Sequence, residues 1–207
     1  MNNAVEVAVL TKSSKRGGYC VSGVNIGSGE WIRLVSSDVE KHGALTAQNM
    51  YCLDGSVCQV LDVVQVPVLR PAPIAYQPEN MLIDENKYWK KVGCLSVDDL
   101  LALHPAENHL TLLGNKYPYI TIEKIATVGR SLILVEVHNL VITHPDESRT
   151  RASFMYGSTP YSRMPVTDLD YRHSDASIDT AVIVMSLPDV PYYERRFYKF
   201  VSKVFPL

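Results

Sequence analysis

The apolar positions of this chain come in short runs rich in β-branched residues, broken by Gly, Pro and polar clusters, a pattern that predicts strands rather than long helices. Ala4 to Leu10 reads as a strand. Tyr19 to Ile26 and Trp31 to Val35 read as a hairpin turning at Gly27-Ser28-Gly29. Ser37 to Asn49 is polar, with room for one short helical turn. Val57 to Leu69 is strand-like, and Pro67 places its end on a sheet edge. The proline-rich "RPAPIAYQPEN" that follows is expected to be extended loop.

The middle of the chain differs. Ser96 is the N-cap of a predicted helix, with Asp98 and Asp99 in its first turn, Leu100, Leu101 and Leu103 as its apolar face and Pro105 as its stop. Asn86 to Gly93 predicts an earlier helical turn. Beyond this joint, Tyr119 to Val128 and Leu132 to Ile142 read as strands linked by a turn at Gly129-Arg130. Ala152 to Tyr156, Tyr161 to Thr167 and Ala181 to Leu187 are further strands. The tail "RRFYKFVSKVF" fits a helical face through Phe197, Val201 and Val204, but its aromatic and β-branched content favours a strand. About ten strands and two short helices describe a mainly β protein. The midpoint helix favours two small β-barrels or half-barrels, over 1–84 and 109–207, joined by a helical segment over 85–108.

Composition narrows the class. The chain has 207 residues, 46% apolar and 20% charged, which is globular and long enough to bury roughly 70% of its unfolded surface. A net charge of -2 gives no support to a nucleic-acid coat or a polybasic membrane protein and leaves room only for a local basic surface. Cys20, Cys52, Cys58 and Cys94 form no CxxC pair and have no finger-like His spacing, so neither structural zinc nor a disulfide framework is expected. The start lacks a secretory pattern and no run reaches the roughly 20 apolar residues of a membrane span. The expectation is a reduced cytoplasmic protein without membrane attachment.

Candidate chemistry is of the binding kind. "TKSSKRGG" sets Lys12, Lys15 and Arg16 before two glycines, either a phosphate cradle or a solvated turn, and it lacks Walker spacing. Strand alternation puts Trp31 and Arg33 on one face and Ile32 on the other. That face either stacks a base and meets a phosphate, or Trp31 is core with Arg33 snorkelling beside it. Glu79 and Asn80 either read a base edge or tie their loop to its own backbone. "RASFMYGSTPYSRMPVTDLDYRHS" interleaves Arg151, Phe154, Tyr156, Tyr161, Arg163, Thr167 and Asp168, the composition of a stacking and phosphate-binding surface or of a tyrosine-rich barrel wall. On a strand, Phe154 and Tyr156 share a face. Catalytic motifs are missing: His138 and His144 are six apart, and no HExxH, GxSxG or deaminase signature occurs. Asp168, Asp170, Asp175 and Asp179 lack the spacing of a calcium loop. No cofactor, metal or catalytic residue is expected.

Several stretches together resemble the dual OB-containing domain family of bacterial proteins: "GGYCVSGV", "GEWIRLVS", "LDVVQVPV", "YQPENMLID", "RASFMYGSTPYSRMPVTD" and "VMSLPDVPYYERRFYKFVSKV". They run in order through almost the whole chain. The resemblance implies two OB-like units, a nucleic-acid or nucleotide-related role, and a place in bacterial defence or conflict systems. It marks Gly18, Cys20, Gly23, Trp31, Arg33, Glu79, Asn80, Arg151, Phe154, Tyr156, Tyr161, Thr167, Asp168, Tyr198 and Lys199 as conspicuous. Met81 and Leu34 differ from the aromatic and the proline that the family pattern leads one to expect.

The leading expectation is a non-catalytic OB module that binds single-stranded nucleic acid or a nucleotide. Phe154, Tyr156, Tyr161 and Trp31 would stack on bases, and Arg33, Arg151 and Arg163 would meet phosphates. Lys15, Arg16, Glu79, Asn80, Thr167, Asp168 and Lys199 are supporting positions. The alternative is an interaction or sensor subunit with a protein partner. An enzyme using Asp168 and His173 is the third reading.

Overall fold

The computed structural model of the chain describes residues 3–146 and 149–207. The chain divides into two compact units, Met1–Ile74 with Glu79–Pro105, and Ala75–Pro78 with Ala106–Leu207. Residues 85–105 pack with the first unit.

The first unit contains β1 (Ala4–Lys15), β2 (Gly18–Asn25), β3 (Trp31–Val35), β4 (Asp62–Pro71), β5 (Asn80–Ile83), β6 (Lys90–Cys94) and the helix α1 (Val97–Leu103). β1 pairs antiparallel with β2, and β2 with β3. β3 pairs parallel with β5, which runs antiparallel to β4, and β4 returns to β1. The ring is therefore β1-β2-β3-β5-β4-β1, a closed five-stranded barrel with β6 added on β4. Closure leaves the five ring strands no free edge and gives each of them an inward face. Val7, Val9, Val21, Ile32, Leu34, Val64, Val66 and Ile83 fill the barrel together with Trp89. Two glycines permit it: a Cβ on Gly23 would stand 1.9 Å from the Ala8 carbonyl oxygen, and one on Gly18 2.5 Å from that of Leu45.

Several local expectations change here. β1 continues through Lys15, so "TKSSK" is strand. Arg16 and Gly17, with φ of 45° and 77°, form the two-residue turn to β2. Asn86 to Gly93 supplies β6 rather than a helical turn, because pairing with β4 overrides local propensity. Pro67 lies inside the ring opposite Ala4, and the next amide, Val68 N, donates to Asn3 O at 2.9 Å. The hairpin at 27–29 and the helix form as expected. Ser96 caps α1 in a capping box with Asp99, although only Leu100 of its leucines is buried.

The second unit contains β7 (Tyr119–Thr121), β8 (Leu132–Asp146), β9 (Arg149–Tyr156), β10 (Thr159–Pro165), β11 (Ala176–Ser186), β12 (Arg196–Tyr198) and β13 (Phe200–Pro206). Its sheet runs β10-β9-β8-β11-β13. With β8 taken as the first strand of the unit, this order repeats the first barrel, and a parallel bridge between Val166 and Val201 joins the third and fifth strands. The fold is mainly β, as expected, and both units carry the OB strand order. The expected hairpin around Gly129-Arg130 does not form: β7 is three residues long and pairs with the distant β12. Leu112, Ile133, Val135, Phe154, Tyr161, Ile183 and Val201 are among the residues of the core.

Each third-to-fifth seam is reinforced by side chains. In the first barrel Arg33 pairs in register with Asn80, its amide donates to Glu79 O at 2.9 Å, and its guanidinium Nε lies 3.7 Å from Glu79 Oε1. Arg33 Nη1 also reaches Cys20 Sγ at 2.7 Å. In the second, Thr167 N donates to Val201 O at 2.9 Å, and Asp168 Oδ2 accepts from Val204 N at 2.9 Å. Lys203 binds Asp168 Oδ1 at 3.3 Å and also Asp170. Burial pushes the Asp168 carboxyl up, against the opposing charge of Lys203.

Candidate nucleic-acid interface

Alternation along β9 sorts its side chains. Ala152 and Phe154 point into the core with Tyr156 packed against it, so Arg151, Ser153 and Met155 face outward. On the neighbouring β10, Tyr161 and Met164 point inward, and the register slips between them. The slip is a bulge in which Arg163 takes a φ of 56°, its amide donates to Ser153 Oγ at 3.3 Å, and its side chain is exposed.

The outer face of β9–β10 therefore carries Arg149, Arg151 and Arg163. Burial holds the Arg151 guanidinium below its ordinary value, and the like charges of Arg149 and Arg163 push the same way, with Asp146 and Tyr198 opposing. Arg149 pairs with Asp146 at 3.3 Å, and its side chain stays largely in solvent. β9 and β10 are the second and third strands of this barrel, the face on which OB folds hold oligonucleotides.

Tyr198, which acts electrostatically on Arg151, brings in a second element. On the β7–β12 ribbon Tyr198 and Tyr119 are register partners, and Arg196 sits over the Tyr119 ring at 4.2 Å from its centroid while holding Glu194 at 2.7 Å. Tyr117 stacks on Tyr119 with centroids 6.3 Å apart. Behind the ribbon Lys199 is 0% exposed. Its ammonium donates to Leu112 O at 2.7 Å, Asn115 O at 2.6 Å and Asn115 Oδ1 at 2.7 Å. Burial pulls its pKa down to about 7.

The predicted residues divide between the units. Lys15, Arg16, Trp31, Arg33, Glu79 and Asn80 belong to the first, and Arg151, Phe154, Tyr156, Tyr161, Arg163, Thr167, Asp168 and Lys199 to the second. Arg33, at 3% exposure, is a seam residue and not a phosphate contact. Glu79 and Asn80 take part in that seam, and Asn80 O also accepts from Ala72 N at 2.9 Å across their own loop. Trp31 is half-buried, with its ring edge-on to His104 at 5.3 Å. Every residue of β2 and β3 is buried or half-buried. Lys15 holds His42 O at 2.6 Å, and Arg16 is exposed at the turn.

In the second unit Phe154 and Tyr161, 3% and 1% exposed, stack on each other inside the barrel and have no free ring face for a base. Tyr156 shares that inner side, and its hydroxyl accepts from His109 N at 2.5 Å. Thr167 and Asp168 close the seam, and Lys199 holds the 112–115 turn. Of the set, Arg151 and Arg163 stand together on one outer face. Sequence reasoning missed Arg149, Tyr117, Tyr119 and Arg196. The spacing of two between Tyr117 and Tyr119, and between Arg196 and Tyr198, was the available signal. Among the described residues no group of His, Cys, Asp or Glu is placed to hold a metal, and no helix is long and apolar enough to cross a membrane.

Two barrels of one strand order define a tandem OB-fold protein. The chain belongs to the dual OB-containing domain family, whose model matches residues 5–204. None of the curated proteins matches it significantly. A solved structure described as a murine DNA binding protein bound with ds DNA is similar over 99% of this chain and 100% of that chain, at 9% identity and a TM-score of 0.38, a likeness too distant to bear on function.

Proposed function

We propose that the second barrel binds single-stranded nucleic acid across β9–β10, without catalysis. Arg149, Arg151 and Arg163 meet phosphates, and Tyr198 of the β7–β12 ribbon stacks a base. The observation that carries this reading is the group of three guanidinium side chains on the strand 2–3 face, where mutual repulsion and partial burial give an anion a large return. A local basic surface of this kind is compatible with the overall charge of -2.

The test is a titration of a labelled oligonucleotide over a range of salt. Affinity should fall with salt, and each arginine changed to Ala should lower the slope by about 0.7. A protein that binds no single-stranded oligonucleotide at low salt would sink the proposal.

One observation favours a second reading, a protein-interaction module. Tyr51, Leu53 and Tyr88 leave an exposed apolar hollow on the first unit. Recovery of a stoichiometric protein partner that resists nuclease and is lost in Leu53→Asp would support it.

A further inference from the structure

The outer face of β9–β10 holds a serine beside its arginines. Ser153 lies two positions from Arg151 on the outward side of β9, and its Oγ accepts from the Arg163 amide at 3.3 Å. A serine oxygen that accepts through a lone pair keeps its own hydrogen to donate. Among the described residues, that hydrogen has no acceptor.

The flanking guanidiniums are also uncommitted. Arg151 donates to the Thr150 carbonyl at 3.0 Å, and among the described residues it forms no ion pair. The Arg163 side chain forms neither a hydrogen bond nor an ion pair among them. The paired strands place no carboxylate opposite these residues: Ser153 pairs with Val141, and Arg151 with Thr143 on one side and Pro165 on the other. Asp146 is the carboxylate that acts on Arg151, and Arg149 engages it at 3.3 Å.

The bulge decides that Arg163 is on this face. Tyr161 points inward, so strict alternation would turn Ser162 out, Arg163 in and Met164 out. Instead Ser162 and Arg163 are both exposed and Met164 is fully buried, because two residues of β10 stand opposite Ser153. The extra residue holds Arg163 in the left-handed region at a φ of 56°, which disfavours an arginine. Backbone strain and like charge beside Arg151 both oppose folding, and an anion between the guanidiniums offsets that cost.

Two uncommitted guanidiniums and a hydroxyl hydrogen side by side suit a tetrahedral oxyanion. We propose that Arg151, Arg163 and Ser153 form a clamp for a single phosphate group, with Ser153 as a direct donor. The clamp rests on the strand-binding reading for the source of its phosphate. It goes further by adding Ser153 as a ligand contact and by setting two of the three arginines on one phosphate.

The experiment titrates the full chain at low salt with a single-stranded oligonucleotide, and separately with inorganic phosphate, following amide shifts at Ser153 and Arg163. Ser153→Ala should weaken the oligonucleotide about tenfold, as for the loss of a hydrogen bond to a charged group, with the salt slope unchanged because no cation is removed. Ser153→Thr, which keeps the hydroxyl, should restore most of the affinity. Arg151→Ala and Arg163→Ala combined should lose less than the product of their separate losses, as expected for two groups on one phosphate. Arg163→Gly should weaken binding yet raise the urea midpoint, since glycine adopts this backbone freely and the charge beside Arg151 is gone. Parental affinity in Ser153→Ala, multiplicative losses for the two arginines, or a lower urea midpoint in Arg163→Gly overturns the clamp, while oligonucleotide binding by the parent keeps the strand-binding reading. Shifts with inorganic phosphate in a protein that binds no oligonucleotide support the clamp and end that reading. No response to either ligand ends both.

Discussion

Tyr198 stands opposite Tyr119 across the β7–β12 pair, their ring centroids 5.9 Å apart and their planes at 62°. This contact gives the ribbon an ordered aromatic surface. Base stacking on an aromatic side chain is worth about 1–3 kcal/mol, so Tyr198→Ala should weaken oligonucleotide binding roughly tenfold or more. Anisotropy titration measures it, with circular dichroism to confirm the fold, and Tyr198→Phe should retain most of the affinity. Tyr156→Ala, by contrast, should lower stability, because its hydroxyl accepts the His109 amide and its ring lies against the core.

The seam of the second barrel depends on Asp168 and Lys203, whose side chains are 4% and 9% exposed. Lys203→Met removes the charge partner of a buried carboxylate that also holds the Val204 amide. Breaking a buried pair in this way costs about 3–5 kcal/mol. Urea denaturation should show the loss. The first barrel should give less for Glu79→Gln, because its parallel seam carries a ladder of register partners rather than one bridge.

His144 faces two acceptors, Asp175 Oδ1 at 2.6 Å from Nδ1 and the Tyr171 carbonyl at 3.0 Å from Nε2. Only the imidazolium donates to both. The bond to Asp175 holds the pKa above 6.5, with partial burial opposing. A raised folded-state value means that this stabilisation is complete below pH 6.5 and is lost as pH rises through the folded pKa. His144→Ala should flatten that part of the stability profile, and a proton NMR titration should place the His144 midpoint above 6.5.

Lys199 works in the other direction. Its folded pKa of about 7 lies below the ordinary 10.5, so between the two the unfolded chain binds more protons and stability rises with pH. Denaturation across that window should show the rise, and Lys199→Met should abolish it. A variant with the same slope as the parent would mean that the ammonium is not desolvated.

Gly23→Ala should be among the most damaging single-methyl changes in the chain. The new Cβ would meet the Ala8 carbonyl oxygen at 1.9 Å, a backbone atom of the paired strand that cannot swing aside. Overpacking of this severity costs about 3 kcal/mol or more. Thermal melting of Gly23→Ala beside the tolerant Gly27→Ala, whose nearest neighbour is at 3.4 Å, isolates the effect.

What the sequence by itself determined is the part written in short-range signals. Short β-branched runs marked β2, β3, β8 and β9, the Ser96 N-cap with its acidic first turn marked α1, and ordered family motifs marked two OB units. Alternation also showed that Trp31 and Arg33 share a face, as do Phe154 and Tyr156. It could not say which face lies inside, since a barrel interior and a ligand surface are both apolar and aromatic. Only the tertiary structure decided that. Closing the ring turned Phe154 and Tyr161 inward. Parallel pairing of β3 with β5 buried Arg33 against Glu79, and the bulge at Arg163 kept that side chain outside beside Arg149 and Arg151. The pairing of β7 with β12 brought Tyr119 and Tyr198, 79 positions apart in the chain, into one aromatic surface. Long-range backbone pairing costs chain entropy that no local pattern records, so the partner of a strand, and with it the location of the site, emerges only when the whole barrel forms.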